Sequence, residues 1–332
     1  MRSERLTAAL NSGVFAWPDA GRTLILRPRG EDHFDDIEAS RLQVVTGFRP
    51  DFNAFSARGI PVSAEVEGAF AAALVCLPRA RELSRAMLVQ AVAALPEGAP
   101  VWVDGQKTDG IESLLKDLKL AGLAPGEAWS KAHGKLFMFR AAPLPQDWAA
   151  QDRQVDGFTT RPGVFSADGI DRGSALLAKA LPEKLHSRVA DFGAGWGYLT
   201  SEILKRPGVQ EVHLIEAEAE ALDCARRNIT DPRAQFHWAD ATGFKADVPF
   251  GVIVCNPPFH TAREADPKLG IAFLQAAARN LTTSGTLWLV ANKQLPYEPE
   301  LQKLFREVEM IGGDNSFRLW RASRPIQARG AK

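Results

Sequence analysis

Between residues 188 and 290, short apolar runs recur, and each stops at a small or polar residue before a helical pattern begins. Arg188–Phe192 gives way to Gly193. Residues 212–215 run into Glu216, residues 235–238 into Asp240, and residues 251–255 into Asn256. Across 218–229 the pattern is helical, with Ala221, Leu222, Ala225 and Ile229 on one face. A helix across 269–281 and a strand at 286–290 continue the alternation. Strands that alternate with helices specify a mainly parallel sheet covered on both faces. A helix near 300–307 precedes a final pair of strands, 308–311 and 317–321. Gly312, Gly313, Asp314 and Asn315 between them are a hairpin signal. The expected fold is a doubly wound α/β sheet with a reversed edge strand. In such sheets ligands sit outside the carboxyl ends of the strands, where the strand order reverses. Asp191, the loop from Gly193 to Gly197, Glu216, Asp240 and Asn256 all stand there.

The first half also reads as α/β, with strands at 23–27, 42–46, 71–77, 100–103 and 136–140 and helices at 82–95 and 110–120. It has no glycine loop, and Gly110 and Gly122 read as helix ends. From 141 to 160, prolines and short polar residues without periodicity mark a boundary near 145–155. The domains are therefore expected at 1–150 and 151–332. The two halves echo each other at offsets of about 180 residues, the signature of a tandem duplication. Residues 72–79, ending Cys76, Leu77, Pro78 and Arg79, parallel 251–258. Residues 101–107 parallel 288–294, and 137–141 parallel 318–322. In the first copy Leu77 stands for Asn256 and Arg79 for Pro258.

The charge balance, 40 basic against 40 acidic side chains, excludes a polybasic binder. Two local groups could touch phosphates. One is the loop holding Arg27 and Arg29. The other is the tail carrying Arg318, Arg321, Arg324, Arg329 and Lys332, which reads equally as a solvated, frayed terminus. No apolar run approaches the roughly 20 residues that span a membrane, and no leader is expected. Cys76, Cys224 and Cys255 lack metal-site spacing and read as buried thiols of a reducing compartment. A cytoplasmic monomer with no metal and no membrane contact is expected.

After Cys255, Pro257 and Pro258 forbid further ladder bonding and stiffen the chain. Taken alone, that turn is as readily a strand terminator as a functional element. At a strand's carboxyl end it offers more. The side-chain carbonyl of Asn256 and the backbone carbonyl of Pro257 are two acceptors that can grip both hydrogens of a planar amine. Phe259 can stack on the attached ring. Held so, the amine's lone pair points out of the ring plane, and an attack on an electrophilic methyl needs position more than a strong base. A base within a duplex would have to be flipped out. The glycine loop lets backbone approach a ligand. Trp196 within it would crowd a pyrophosphate, so a nucleoside with an amino-acid tail suits the loop better than a dinucleotide. Glu216 is placed to accept from ribose hydroxyls, or is simply a helix N-terminal acid. Asp240 can accept from an adenine amine.

Together these residues resemble a class I S-adenosylmethionine-dependent methyltransferase. The likeness is closest to the ribosomal RNA guanine-N2 methyltransferases of the RsmC and RlmG type. It is carried by Phe165, Ser166, Asp168, Gly169, Asp171, Gly173 and Ser174, by Asn256 to His260, and by the run from Ala291 to Tyr297. The resemblance implies two tandem Rossmann-like methyltransferase domains, the first degenerate and catalytically silent, with a role in folding or in holding RNA. It implies S-adenosyl-L-methionine as cofactor, lined by Asp191, Gly193, Ala194 and Gly195, with Glu216 at the ribose and Asp240 at the adenine. Phe165, Ser166 and Gly173 would belong to a segment folded over that cofactor. Asn256, Pro257, Pro258 and Phe259 would hold the target amine, with ribosomal RNA or a ribosomal subunit as partner. Family members often carry Asp at the ribose position, where this chain has Glu216. N6-adenine or glutamine-amide methylation uses the same amine geometry and stays open. So does a silent nucleic-acid-binding protein of this fold.

Overall fold

The computed structural model describes residues 2–34, 36–258 and 267–326. The chain forms two compact units, 1–152 and 153–332, which divide within the proline-rich, polar stretch.

The first unit runs α1 (Arg2–Asn11), β1 (Thr23–Leu26), β2 (Leu42–Val45), α2 (Arg49–Ala57), β3 (Val62–Ser63), β4 (Ala72–Cys76), α3 (Arg81–Ala93), β5 (Pro100–Gln106), α4 (Ile111–Leu120), β6 (Trp129–Lys131) and β7 (Gly134–Arg140). Its sheet has the order β3-β2-β1-β4-β5-β7-β6, with β7 antiparallel to β5. Strand alternation divides the core. Leu24 and Leu26 face α3 and α4, while Ile25 faces α1 and α2. Sequence periodicity misses α1, α2, β3 and β6. In α1 the reason is physical: two of its buried side chains are Arg2 and Arg5, so the inward face carries no continuous apolar stripe. In α2 only Phe55 is buried.

The second unit runs β8 (Arg153–Val155), β9 (Phe158–Thr160), α5 (Arg172–Ala180), β10 (Arg188–Phe192), α6 (Tyr198–Leu204), β11 (Glu211–Glu216), α7 (Ala219–Asn228), β12 (Ala234–Trp238), β13 (Phe250–Cys255), α8 (Pro267–Asn280), β14 (Leu281–Asn292), α9 (Glu298–Leu304), β15 (Phe305–Gly313) and β16 (Phe317–Pro325). Its large sheet has the order β12-β11-β10-β13-β14-β16-β15, the same pattern as the first unit. β13 is buried along its whole length. Ile253 and Cys255 pack beneath α8, and Val252 and Val254 pack with α5 and α6.

Three sequence expectations shift. Gly312 and Gly313 end β15 rather than forming the turn, which is closed by Asp314 N–H donating to Phe317 O. The basic stretch from Arg318 is not a frayed tail through Pro325. It is strand β16, with Arg321 and Arg324 paired to Glu309 and Glu307 of β15. Register also moves one half of the repeat. Cys76 lies opposite Asp104, but Cys255 lies opposite Leu289, two residues from the Ala291 that the sequence comparison pairs with Asp104. A two-residue shift keeps every side chain on its own face, so the apolar pattern cannot detect it.

In the first unit the carboxyl end of the sheet is filled by its own charges. Asp104, with no exposed surface, accepts from Arg2 Nε at 2.7 Å and from Arg5 Nε and Nη2 at 2.6 and 2.8 Å. Arg2 also pairs with Asp32, and Arg5 reaches the carbonyls of Lys131 and Ala132. Removing the shared acid leaves Arg5 buried with only backbone carbonyls and Arg2 with Asp32 alone. We expect Asp104→Ala to cost about 3–5 kcal/mol of first-unit stability, read as an earlier transition in denaturant unfolding.

Candidate active site

Parallel register sets the strand ends of the second unit level. Asp191 lies between Leu214 of β11 and Val254 of β13, and Glu216 lies opposite Trp238 of β12. β10 and β13 are the neighbours between which the strand order reverses, so Asp191 and Asn256 flank the switch point. The glycine loop is folded down onto the end of β11. Gly193 and Ala194 N–H both donate to Ile215 O, and Gly195 N–H donates to Glu216 Oε2 at 2.8 Å. The loop needs its glycines. Gly195 has φ 56°, with nothing among the described residues within 4 Å of where a Cβ would stand. Gly197 has φ 96°, and a Cβ there would come within 3.1 Å of Ile229. The open space beside Gly195 leaves room for a ligand.

Trp196 does not face that space. Its ring is 4% exposed and packs with Val164, Ala221 and Cys224, while Nε1 donates to Phe165 O at 3.0 Å. This ties the segment before α5 to the glycine loop. Asn228 of α7 ties it again, exchanging hydrogen bonds with the backbone of Thr159 and donating to Trp196 O. At its far end the segment reaches the proline turn. Asn256 Nδ2 donates to Asp171 Oδ2 at 2.9 Å and to Ser174 Oγ at 2.8 Å. Trp196, Asn228, Thr200, Asp171 and Ser174 were not singled out for these roles from sequence. Gly169 and Gly173, on either side of Asp171, are the sequence signal that could have marked a tight approach there.

The site is electrostatically incomplete. Asp191 is fully buried; its Oδ2 accepts from Thr200 Oγ1 at 2.8 Å, and its Oδ1 has no partner among the described residues. Burial, then the nearby Glu216, push its carboxyl up to about 7. Glu216 is also raised, chiefly by burial, though Gly195 and Glu218 N–H both donate to it. Among the described residues neither acid pairs with a Lys or Arg. Two desolvated carboxylates and an orphaned oxygen beside open space fit a ligand that brings positive charge and hydrogen-bond donors. Asp240, two residues beyond β12, accepts from Thr242 N–H and Oγ1 through Oδ1.

The remaining residues named from sequence are distributed as follows. Ala194 sends its side chain into the core with Leu214 and Leu222 and offers only backbone to the loop's open side. Phe165 has an exposed ring. Ser166 Oγ is spent on Gly169 O within its own turn. Gly173 lets α5 close on β16, since a Cβ there would stand 3.1 Å from the Phe317 ring. Asn256 is half-buried, Pro257 buried and Pro258 exposed. Phe259 lies outside the described residues.

The family described as the methyltransferase small domain matches residues 156–321. The ribosomal RNA small subunit methyltransferase C of Pseudomonas paraeruginosa is 33% identical over 270 residues, covering 78% of this chain and 80% of that one. Its counterpart from Hahella chejuensis is 31% identical, covering 75% and 76%. The chain belongs to the ribosomal RNA small subunit methyltransferase C family. Among solved structures, a T. thermophilus 16S rRNA N2 G1207 methyltransferase (RsmC), in complex with AdoMet and guanosine, superposes with a TM-score of 0.78 at 26% identity. That superposition covers 96% of this chain and 92% of that one. The family thus accounts for both units.

In this methyltransferase the raised Asp191 has a measurable consequence. The folded chain keeps on Asp191 a proton that the unfolded chain releases near 3.8, and gives it up only near 7. Across that window the folded state binds more protons, so stability of the ligand-free enzyme falls as pH rises. Glu216, shifted in the same direction, adds to the slope. Asp191→Asn stays neutral and should flatten most of it, as thermal melts at a series of pH values would show.

Proposed function

We propose that this chain transfers a methyl group from S-adenosylmethionine to the exocyclic N2 of a guanine in 16S ribosomal RNA, in the cytoplasm. The observation that carries this reading is the pairing of an orphaned acidic cradle at Asp191 and Glu216 with an acceptor turn at Asn256, on adjoining strand ends. The curated relatives are named for methylation of the small-subunit RNA, and the T. thermophilus relative for guanine N2, which favours guanine over adenine or a glutamine amide.

When bound, S-adenosylmethionine supplies an electrophilic methyl group on a sulfonium. The chain's own residues do the rest. Asp191 Oδ1 would accept from the cofactor's ammonium, beside the backbone of Gly193 to Gly195. The lone pairs that Glu216 retains after its two backbone bonds would take the ribose hydroxyls. Asp240 would accept from the adenine amine. Phe165, Ser166 and Gly173 belong to the segment that covers this cradle. Asn256 Oδ1 and Pro257 O would each take one hydrogen of the guanine amine, with Pro258 stiffening the turn and Phe259 stacking on the base. Withdrawing both hydrogens from the ring plane frees the nitrogen lone pair, so catalysis is mainly orientation and fixed dipoles. The first unit, with Leu77 in place of the acceptor, is read as the silent copy of a duplicated domain that supports folding or holds RNA. The enzyme is read as a monomer.

Two measurements test this. Asn256→Ala should bind S-adenosylmethionine within about threefold of wild type yet lose turnover about 10²- to 10³-fold; undiminished turnover would remove that side chain from the mechanism. In 16S RNA from cells lacking the protein, nucleoside mass spectrometry should find one N2-methylguanosine missing. Loss of N6-methyladenosine instead would redirect the assignment.

A further inference from the structure

An asparagine can turn either its carbonyl oxygen or its amino group toward a substrate, and only the oxygen can hold an amine. Both amide hydrogens of Asn256 are committed elsewhere, to Asp171 Oδ2 at 2.9 Å and Ser174 Oγ at 2.8 Å. A carboxylate only accepts, so Asp171 dictates which end of the amide it faces. Asp171 is itself held. The same Oδ2 accepts from Ser174 N–H at 2.7 Å and caps α5. A Cβ at residue 173 would stand 3.1 Å from this oxygen, and glycine keeps it clear. Capping α5 requires none of the bonds to Asn256, which bridges 85 residues of chain to reach Asp171.

We propose that Asp171 and Ser174 are positioning residues for the transfer. They lock Asn256 with its carbonyl oxygen toward the substrate amine. The charge on Asp171, set against the amide hydrogens, draws amide electron density onto that oxygen and makes it a stronger acceptor. The inference rests on the reading of Asn256 as the amine grip.

The test uses the purified full-length chain, S-adenosylmethionine binding by calorimetry, and methyl transfer to 16S RNA. Asp171→Asn keeps a competent helix cap and an acceptor but loses the charge; kcat should fall about tenfold with cofactor affinity unchanged. Asp171→Ala should fall about a hundredfold, and Ser174→Ala by a few-fold. Asn256→Asp alone sets two carboxylates against each other and should be severely impaired. The double variant D171N/N256D restores one donor facing one acceptor, with the order reversed, and should exceed N256D by about tenfold or more. A residue that merely caps a helix would give no such rescue. Wild-type kcat in both D171N and D171A beside an inactive Asn256→Ala would overturn the positioning role and leave the amine grip standing. A double variant no better than N256D would overturn it as well. Wild-type turnover by Asn256→Ala would instead sink the grip itself.

Discussion

The site depends on the register of β10 between β11 and β13. Asp191 faces Leu214 on one side and Val254 on the other, so two residues further along each strand the chain reaches the glycine loop, Glu216 or the proline turn. A slip of one residue would turn Asp191 to the opposite face and Val189 with it. What forbids the slip is apolar burial on both faces: Val189, Val212, Val252 and Val254 on one, Phe192, Ile215, Ile253 and Cys255 on the other. Each such side chain contributes about 1.5–3 kcal/mol relative to exposure. That burial holds in place the Asp191 carboxyl, whose Oδ1 has no partner among the described residues.

The two units use the same strand order and fill it differently. In each, one helix precedes the first strand of the sheet. In the first unit that helix sends Arg2 and Arg5 down onto Asp104 and Asp32, and the carboxyl end of the sheet is neutralised from within. In the second the corresponding helix, α5, begins with Asp171 and Ser174, which bind the amino end of an amide and leave its oxygen without a partner among the described residues. Leu77, where the second unit has Asn256, is buried against Gly105. A crevice whose charges cancel internally has little to offer a cationic ligand. One whose two acids, among the described residues, meet no Lys or Arg does.

The parallel sheets, the reversed edge strand and the strand-end residues were legible in the sequence because each rests on a local period followed by a polar stop. Asn256 was legible as a residue on a stiff strand end because two prolines follow it. What was not legible lies in long-range pairing. Nothing local distinguishes Arg2 and Arg5 as buried, because arginine spacing reads as a solvated face until Asp104, about a hundred residues away, is known to meet it. Trp196 looked like an obstruction in the ligand space, whereas the glycines on either side turn the chain so that its ring faces the core. The five-residue strand expected at 286–290 extends to Leu281–Asn292, because β16 pairs with it as far as Asn292 and Leu281 pairs with Phe250 of β13, and sequence alternation does not report a partner.

The segment that links β9 to α5 gives the site a mechanical property that neither of its ends has alone. At one end Phe165 O is held by Trp196 of the glycine loop; at the other Asp171 holds Asn256. Between them only a short stretch of chain intervenes, turned tightly at Ser166, which has φ 53° and closes its own bend through Gly169 O. The glycine loop and the acceptor turn are thus both hydrogen-bonded to one short stretch of chain. A cradle that can be occupied and an acceptor that must be aimed share one strap. The same strap that closes beside the cradle thus carries the cap whose carboxylate orients the acceptor, and one helix start serves both purposes.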